Sequence, residues 1–169
     1  MTVKAIVFDY KTLFSRETAI VAEMQAVLRW AQDCGLRICV LTTDPMDVGA
    51  RCAQHGYPEP DLHIQQADVP GRKNRGSPAW IDVVASRLRV DNHDLLYVGS
   101  TSMDWRTAIN SGVFFFHAKW CGPNRDTCIV IESPRDIACH ITQFFKPGPR
   151  SGLSAKSSFL IRGRVSVEG

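Results

Sequence analysis

Short apolar runs alternate with stretches of helical periodicity along most of this chain, and that alternation limits what it can fold into. The runs Ala5 to Phe8, Leu36 to Leu41, Leu95 to Val98, Val113 to Phe116 and Cys128 to Ile131 are continuous but for Arg37, with no polar residue on every second position. Such runs suit strands buried on both faces, the condition of a parallel sheet. A weaker run, Leu62 to Gln65, is a further short strand candidate. Between them lie helical patterns. Ile20, Met24, Val27 and Ala31 recur at helical spacing after Ser15, and Gly35 suits the helix end. Asp44-Pro45 opens a second helix, Ser77-Pro78 a third, Met103 to Ser111 forms a fourth, and Ser133-Pro134 opens a last one reaching Phe145. Strand and helix in alternation predict an α/β fold of three layers, Rossmann-like, with helices on both faces of the sheet.

At 169 residues the chain is long enough for one domain with a substantial core. We expect that domain to span residues 1–145. Residues 146–169 read as a basic Pro/Gly/Ser-rich tail, in which Lys146, Arg150, Lys156, Arg162 and Arg164 face only Glu168. Phe159-Leu160-Ile161 and Val165-x-Val167 are candidates for a small added strand within it. A basic arm of this kind is either a solvated extension or a route to nucleic acid. No apolar run approaches the roughly 20 residues of a membrane helix, and the amino end lacks a signal-peptide layout. The six cysteines show no Cys-x-x-Cys pair, which argues against zinc and for reduced thiols. The expectation is a cytoplasmic protein without a membrane partner.

In open parallel sheets the ligand crevice lies beyond the carboxyl ends of the strands. The residues placed there are Asp9, Thr42-Thr43, Gly99-Ser100 and His117. These residues have ordinary structural readings too: Asp9 as a helix-cap or turn carboxylate, Thr42 or Thr43 as a helix cap, and Asp104 as a cap of its own helix. Lys73 and Arg75 read as solvated charges of a polar loop, and His117 as a packed or exposed structural histidine.

The order and spacing of these residues resemble the haloacid dehalogenase superfamily of phosphohydrolases over roughly Val3 to Phe145. Asp9 matches the first aspartate of that family's opening Asp-x-Asp motif, but Lys11 stands where the second belongs. Thr42 matches the Ser/Thr of the second motif. Arg75 takes the place of the third-motif lysine, with Lys73 as an alternative ammonium. Val98-Gly99-Ser100-Thr101-Ser102-Met103-Asp104 matches the fourth motif with its first aspartate changed to Ser100 and its second kept as Asp104.

The resemblance implies a phosphohydrolase in which Asp9 is the nucleophile, Asp9 and Asp104 hold Mg²⁺, and Thr42, Thr43, Lys73 and Arg75 bind the phosphate. Lys11 falls in the acid/base position. A lysine of ordinary pKa, near 10.4, donates a proton at neutral pH but does not readily accept one; it could also neutralise Asp9 and fill the metal's place. The family's cap insertions are not expected here, so the site would be open. That suits a bulky or macromolecular phosphorylated substrate, or a site covered by a second subunit of an oligomer. The alternative is a catalytically inactive pseudoenzyme that keeps the fold as a binding or assembly module.

Overall fold

A computed structural model describes residues 2–123 and 128–147. Six strands, β2 (Ala5–Asp9), β3 (Arg37–Thr42), β4 (Leu62–Gln65), β5 (Leu95–Gly99), β6 (Phe114–Ala118) and β7 (Ile129–Ile131), form one sheet in the order β4-β3-β2-β5-β6-β7. Every pairing in it is parallel. The continuous apolar runs explain this: all five residues of β2, and all five of β5, are buried, so neither face of the centre meets water.

Helices α2 (Thr18–Asp33) and α6 (Arg135–Phe144) cover one face, where Met24, Val27, Ile137 and Ile141 pack on Ile6, Phe8, Val40 and Val98. Helices α4 (Ala79–Leu88) and α5 (Ser102–Ser111) cover the other, packing Trp80, Ile81, Val84 and Ala108 on Val7, Leu41 and Tyr97. The expected three layers are present. Gly112 ends α5 in the left-handed conformation, φ 67°, which a residue with a Cβ adopts only at a cost.

Several boundaries differ from the sequence reading for local reasons. A single helical turn, α1 (Tyr10–Leu13), follows β2 directly and is too short to show periodicity. The helix after β3, α3 (Val48–Gln54), starts later than Asp44-Pro45, because Asp47 is the residue that caps it, its Oδ1 accepting from the Ala50 N–H at 2.9 Å. His117 lies inside β6 rather than after it. A two-stranded parallel sheet joins β1 (Thr2–Val3) to β8 (Lys146–Pro147), so the chain beyond Phe145 is paired for two residues. The remainder of the expected tail, with its candidate strand at Phe159 to Val167, lies outside the described residues. Among the described residues no helix is long and apolar enough to cross a membrane.

The strand order reverses direction at β2. From β2 the chain moves outward through β3 and β4; it then returns to the other side of β2 with β5 and moves out through β6 and β7. A crevice opens where two neighbouring connections leave in opposite directions, beyond the carboxyl ends of β2 and β5. Asp9 is the last residue of β2.

Candidate active site

Asp9 is presented by α1, whose first N–H groups have no partner within so short a helix. Its Oδ2 accepts from the Lys11 N–H at 3.2 Å, and its own carbonyl accepts from the Thr12 hydroxyl at 2.7 Å. The turn is pinned from outside as well. Tyr57 donates to the Leu13 carbonyl at 2.9 Å, and Trp120 to that of Thr12 at 3.0 Å. The Cys121 thiol lies 3.2 Å from the Lys11 carbonyl. Trp120 thereby braces the turn that carries Asp9.

Arg75 arrives from the loop before α4, and its guanidinium lies between two carboxylates. Nη2 donates to Asp9 Oδ1 and to Asp104 Oδ1, the latter at 3.3 Å. The Arg75 side chain is 9% exposed, against 7% for Asp9 and 2% for Asp104. These three therefore form an ion cluster almost out of contact with water. Burial alone would lower the Arg75 pKa, but the surrounding Tyr97, Asp9 and Asp104 outweigh it and hold the guanidinium charged. Burial pushes the Asp9 carboxyl up to about 6, with the Asp104 charge adding to the rise and Arg75 and the Lys11 N–H opposing it.

Asp104 has a second role. It is the third residue of α5 in a capping box: Thr101 Oγ1 accepts from the Asp104 N–H at 3.1 Å, while Asp104 Oδ2 accepts from the Thr101 N–H at 3.0 Å. The Ser100 N–H also donates to Oδ2 at 3.0 Å, and the Tyr97 hydroxyl donates to Oδ1 at 2.7 Å. Gly99 makes room for this carboxylate, since a Cβ there would lie 2.5 Å from the Asp104 Cβ and 2.9 Å from the Phe115 ring. The cap reading and the site reading of Asp104 both hold.

The remaining sequence candidates are placed differently. Thr42 is fully buried, and its hydroxyl lies 2.7 Å from His63 Nε2. Burial lowers the His63 pKa, so this is a pair of neutral groups. Because Asp9 is level with Leu41, strand alternation turns Thr42 to the opposite face of the sheet from Asp9. Thr43 is exposed. Lys73 is exposed too, and contributes its backbone carbonyl, which accepts from Trp80 Nε1 at 3.0 Å. Lys11 does not neutralise Asp9: its ammonium lies 6.0 Å from the Tyr10 ring centroid, and the neighbouring cation of Asp9 is Arg75. His117 is fully buried, and among the described residues neither ring nitrogen has a hydrogen-bond partner.

Two site residues were missed from sequence. Tyr97 read only as one letter of the buried run Leu95 to Val98, and Trp80 was not singled out in the helix that Ser77-Pro78 opens. The spacing of Trp80 five residues after Arg75 was the available signal, since the Arg75 guanidinium lies over its ring at 4.7 Å.

The expected Mg²⁺ pair was Asp9 and Asp104. A carboxylate has about four lone-pair positions, and Asp104 uses four, on Tyr97, Arg75, Ser100 and Thr101. The place between the two aspartates holds a guanidinium. In this arrangement the donor set does not fit a shared Mg²⁺.

No protein-family model matches the chain, and no curated protein does. Solved structures do. A HAD-superfamily hydrolase of subfamily IA from Geobacter sulfurreducens PCA superposes with a TM-score of 0.57 at 12% identity, covering 81% of this chain and 95% of that one. The core domain of a putative phosphoglycolate phosphatase from Streptococcus pneumoniae TIGR4 gives 0.61 at 16% identity, over 85% and 98%. The cobalt-bound form of the deoxy-D-mannose-octulosonate 8-phosphate phosphatase from Haemophilus influenzae gives 0.58 at 14% identity, over 84% and 88%. These likenesses are of fold, and the fold is haloacid dehalogenase-like.

Proposed function

We propose that this haloacid dehalogenase-like chain is a phosphohydrolase whose nucleophile is Asp9. The observation that supports it is the position of Asp9: a carboxylate ends the central strand at the reversal of strand order, with a buried guanidinium at one of its oxygens. At pH above about 6 that carboxyl is ionised and able to attack. In the first step an Asp9 oxygen bonds to phosphorus, the bond from phosphorus to the ester oxygen breaks, and the departing oxygen takes a proton. The exposed Lys11, two residues after Asp9, is the candidate donor.

The second step asks for the reverse proton movement. Water attacks phosphorus, the bond to Asp9 breaks, and a base receives the water's proton. A lysine amine that has given up its proton regains it from water at neutral pH, and the ammonium so formed has three donors and no acceptor, so Lys11 is a poor base for this step. The reaction is then fast to the aspartyl phosphate and slow beyond it. Only α1 and residues 14–17 separate β2 from α2, and an opening so little covered suits a bulky or macromolecular phosphate.

The second reading, a binding module without turnover, is favoured by the four bonds that occupy Asp104 and by Ser100 in place of an aspartate. An aryl phosphate assay separates the two. Wild type should release a burst of aryl alcohol followed by slow turnover, and acid-quenched protein should carry phosphate; Asp9→Asn should show neither. Equal rates for the two proteins, or no burst and no turnover across metals and pH, would leave only the binding module.

A further inference from the structure

Arg75 is held in place from three sides. Its guanidinium rests on the Trp80 ring, which is fully buried and is tied to the same loop through Nε1 and the Lys73 carbonyl. One edge, Nη2, reaches Asp9 and Asp104 together. The other terminal nitrogen, Nη1, is buried and has no hydrogen-bond partner among the described residues. A buried donor without an acceptor marks the group that is missing from its surroundings. What Arg75 lacks is an oxygen lone pair, carried by an anion, rather than another cation.

The carboxylates agree with this. Mg²⁺ needs oxygens at about 2.0–2.1 Å in near-octahedral array. To bridge Asp9 and Asp104 it would contact the same two Oδ1 atoms that Nη2 contacts, and so would lie against a guanidinium of like charge with little solvent between them. Asp104 has no lone pair left to offer, because Tyr97, Ser100 and Thr101 take the positions that Arg75 does not. The negative charge that a dication would offset is already met by Arg75, two backbone N–H groups and a phenol.

We propose that the Asp9 site works without a bound divalent cation. Arg75 is its resident counter-charge, and Nη1 is the donor kept for an oxygen of a phosphoryl group. The second half of this inference rests on the phosphohydrolase reading; the first half does not.

Mn²⁺ titration of the full chain, followed by the spin resonance of the free ion, tests the first half directly. The wild-type protein should leave the free Mn²⁺ signal unchanged. Arg75→Met, which keeps an unbranched apolar stem and removes the guanidinium with its charge, should create Mn²⁺ binding, and adding Asp9→Asn to it should abolish that binding. Arg75→Lys is the second variant should the methionine protein fail to fold, and its shorter reach to both carboxylates should also admit Mn²⁺. Orthovanadate binding by calorimetry tests the second half. It should be equal in EDTA and in Mg²⁺, and weaker by about tenfold in Arg75→Met, the size of one lost charged hydrogen bond. Mn²⁺ binding by the wild type that Asp9→Asn removes would overturn the proposal. An unchanged Mn²⁺ signal with no vanadate binding in either buffer would overturn the phosphoryl reading and leave the exclusion of the cation standing.

Discussion

Asp9 and Asp104 are buried side by side and share one guanidinium, yet the chain builds them for different ends. Asp104 sits in the first turn of α5, accepts four hydrogen bonds and closes the cap of its own helix. Asp9 sits at the end of a strand and accepts two, one from Arg75 and one from the Lys11 N–H. A carboxylate with all its lone pairs engaged is a structural tie. One that is buried with half of them unused is raised in energy when ionised, and the upward shift of the Asp9 carboxyl to about 6 reports that. On the function proposed above, reactivity belongs to Asp9 and rigidity to Asp104.

The largest expected effect follows from the tie. Asp104→Ala leaves the Tyr97 hydroxyl and the Ser100 and Thr101 N–H groups without their acceptor and removes one of the two charges on Arg75. Breaking a buried charged network of this kind costs about 3–5 kcal/mol. Urea unfolding at neutral pH should show that loss. A loss below about 1 kcal/mol, the size of an exposed ion pair, would mean that Asp104 is no more structural than Asp9 and would dissolve the contrast.

Asp9 should behave in the opposite sense. Its folded pKa, about 6, lies above the unfolded value near 3.9. The folded state therefore holds this proton more tightly, and the stability that the proton contributes is fully present below pH 4 and is lost as pH rises through 6. Two pKa units correspond to about 3 kcal/mol at most. Asp9→Asn carries no such penalty, so it should be more stable than wild type by about 2 kcal/mol at pH 8, with the advantage gone by pH 4. Thermal melts at the two pH values read this out. A destabilised Asn protein at pH 8 would show that the Asp9–Arg75 contact outweighs the cost of burying the charge, making both carboxylates ties.

The contrast between these aspartates was only partly legible in sequence, and the reason is a matter of faces. The six strands, their parallel arrangement and the positions of Asp9, Arg75 and Asp104 follow from apolar runs, helical spacing and motif order, which are one-dimensional signals. Which residues look at Asp9 depends on register. Tyr97 is level with Val7, two residues before Asp9 on the same face, and nothing in a run of buried letters distinguishes it from Leu96 or Val98 beside it. Thr42 is the converse case. It stands at the expected strand end, but the pairing of Asp9 with Leu41 turns its side chain away.

Thr42 supplies the smallest of the expected effects and the sharpest check on that register argument. Its hydroxyl is committed to His63 across the β3–β4 edge, at 2.7 Å. Thr42→Val keeps the shape and strands His63 Nε2, a neutral nitrogen at neutral pH, at a cost of about 1 kcal/mol. If Thr42 faces away from the Asp9 site, this variant should lose that much stability in urea while its phosphoryl burst keeps wild-type amplitude and concentration dependence. A Thr42→Val protein of unchanged stability whose burst needs more than about tenfold higher aryl phosphate, the price of a lost phosphate hydrogen bond, would place Thr42 on the phosphate. The side of the sheet that serves Asp9 would then include β3 as well as β5.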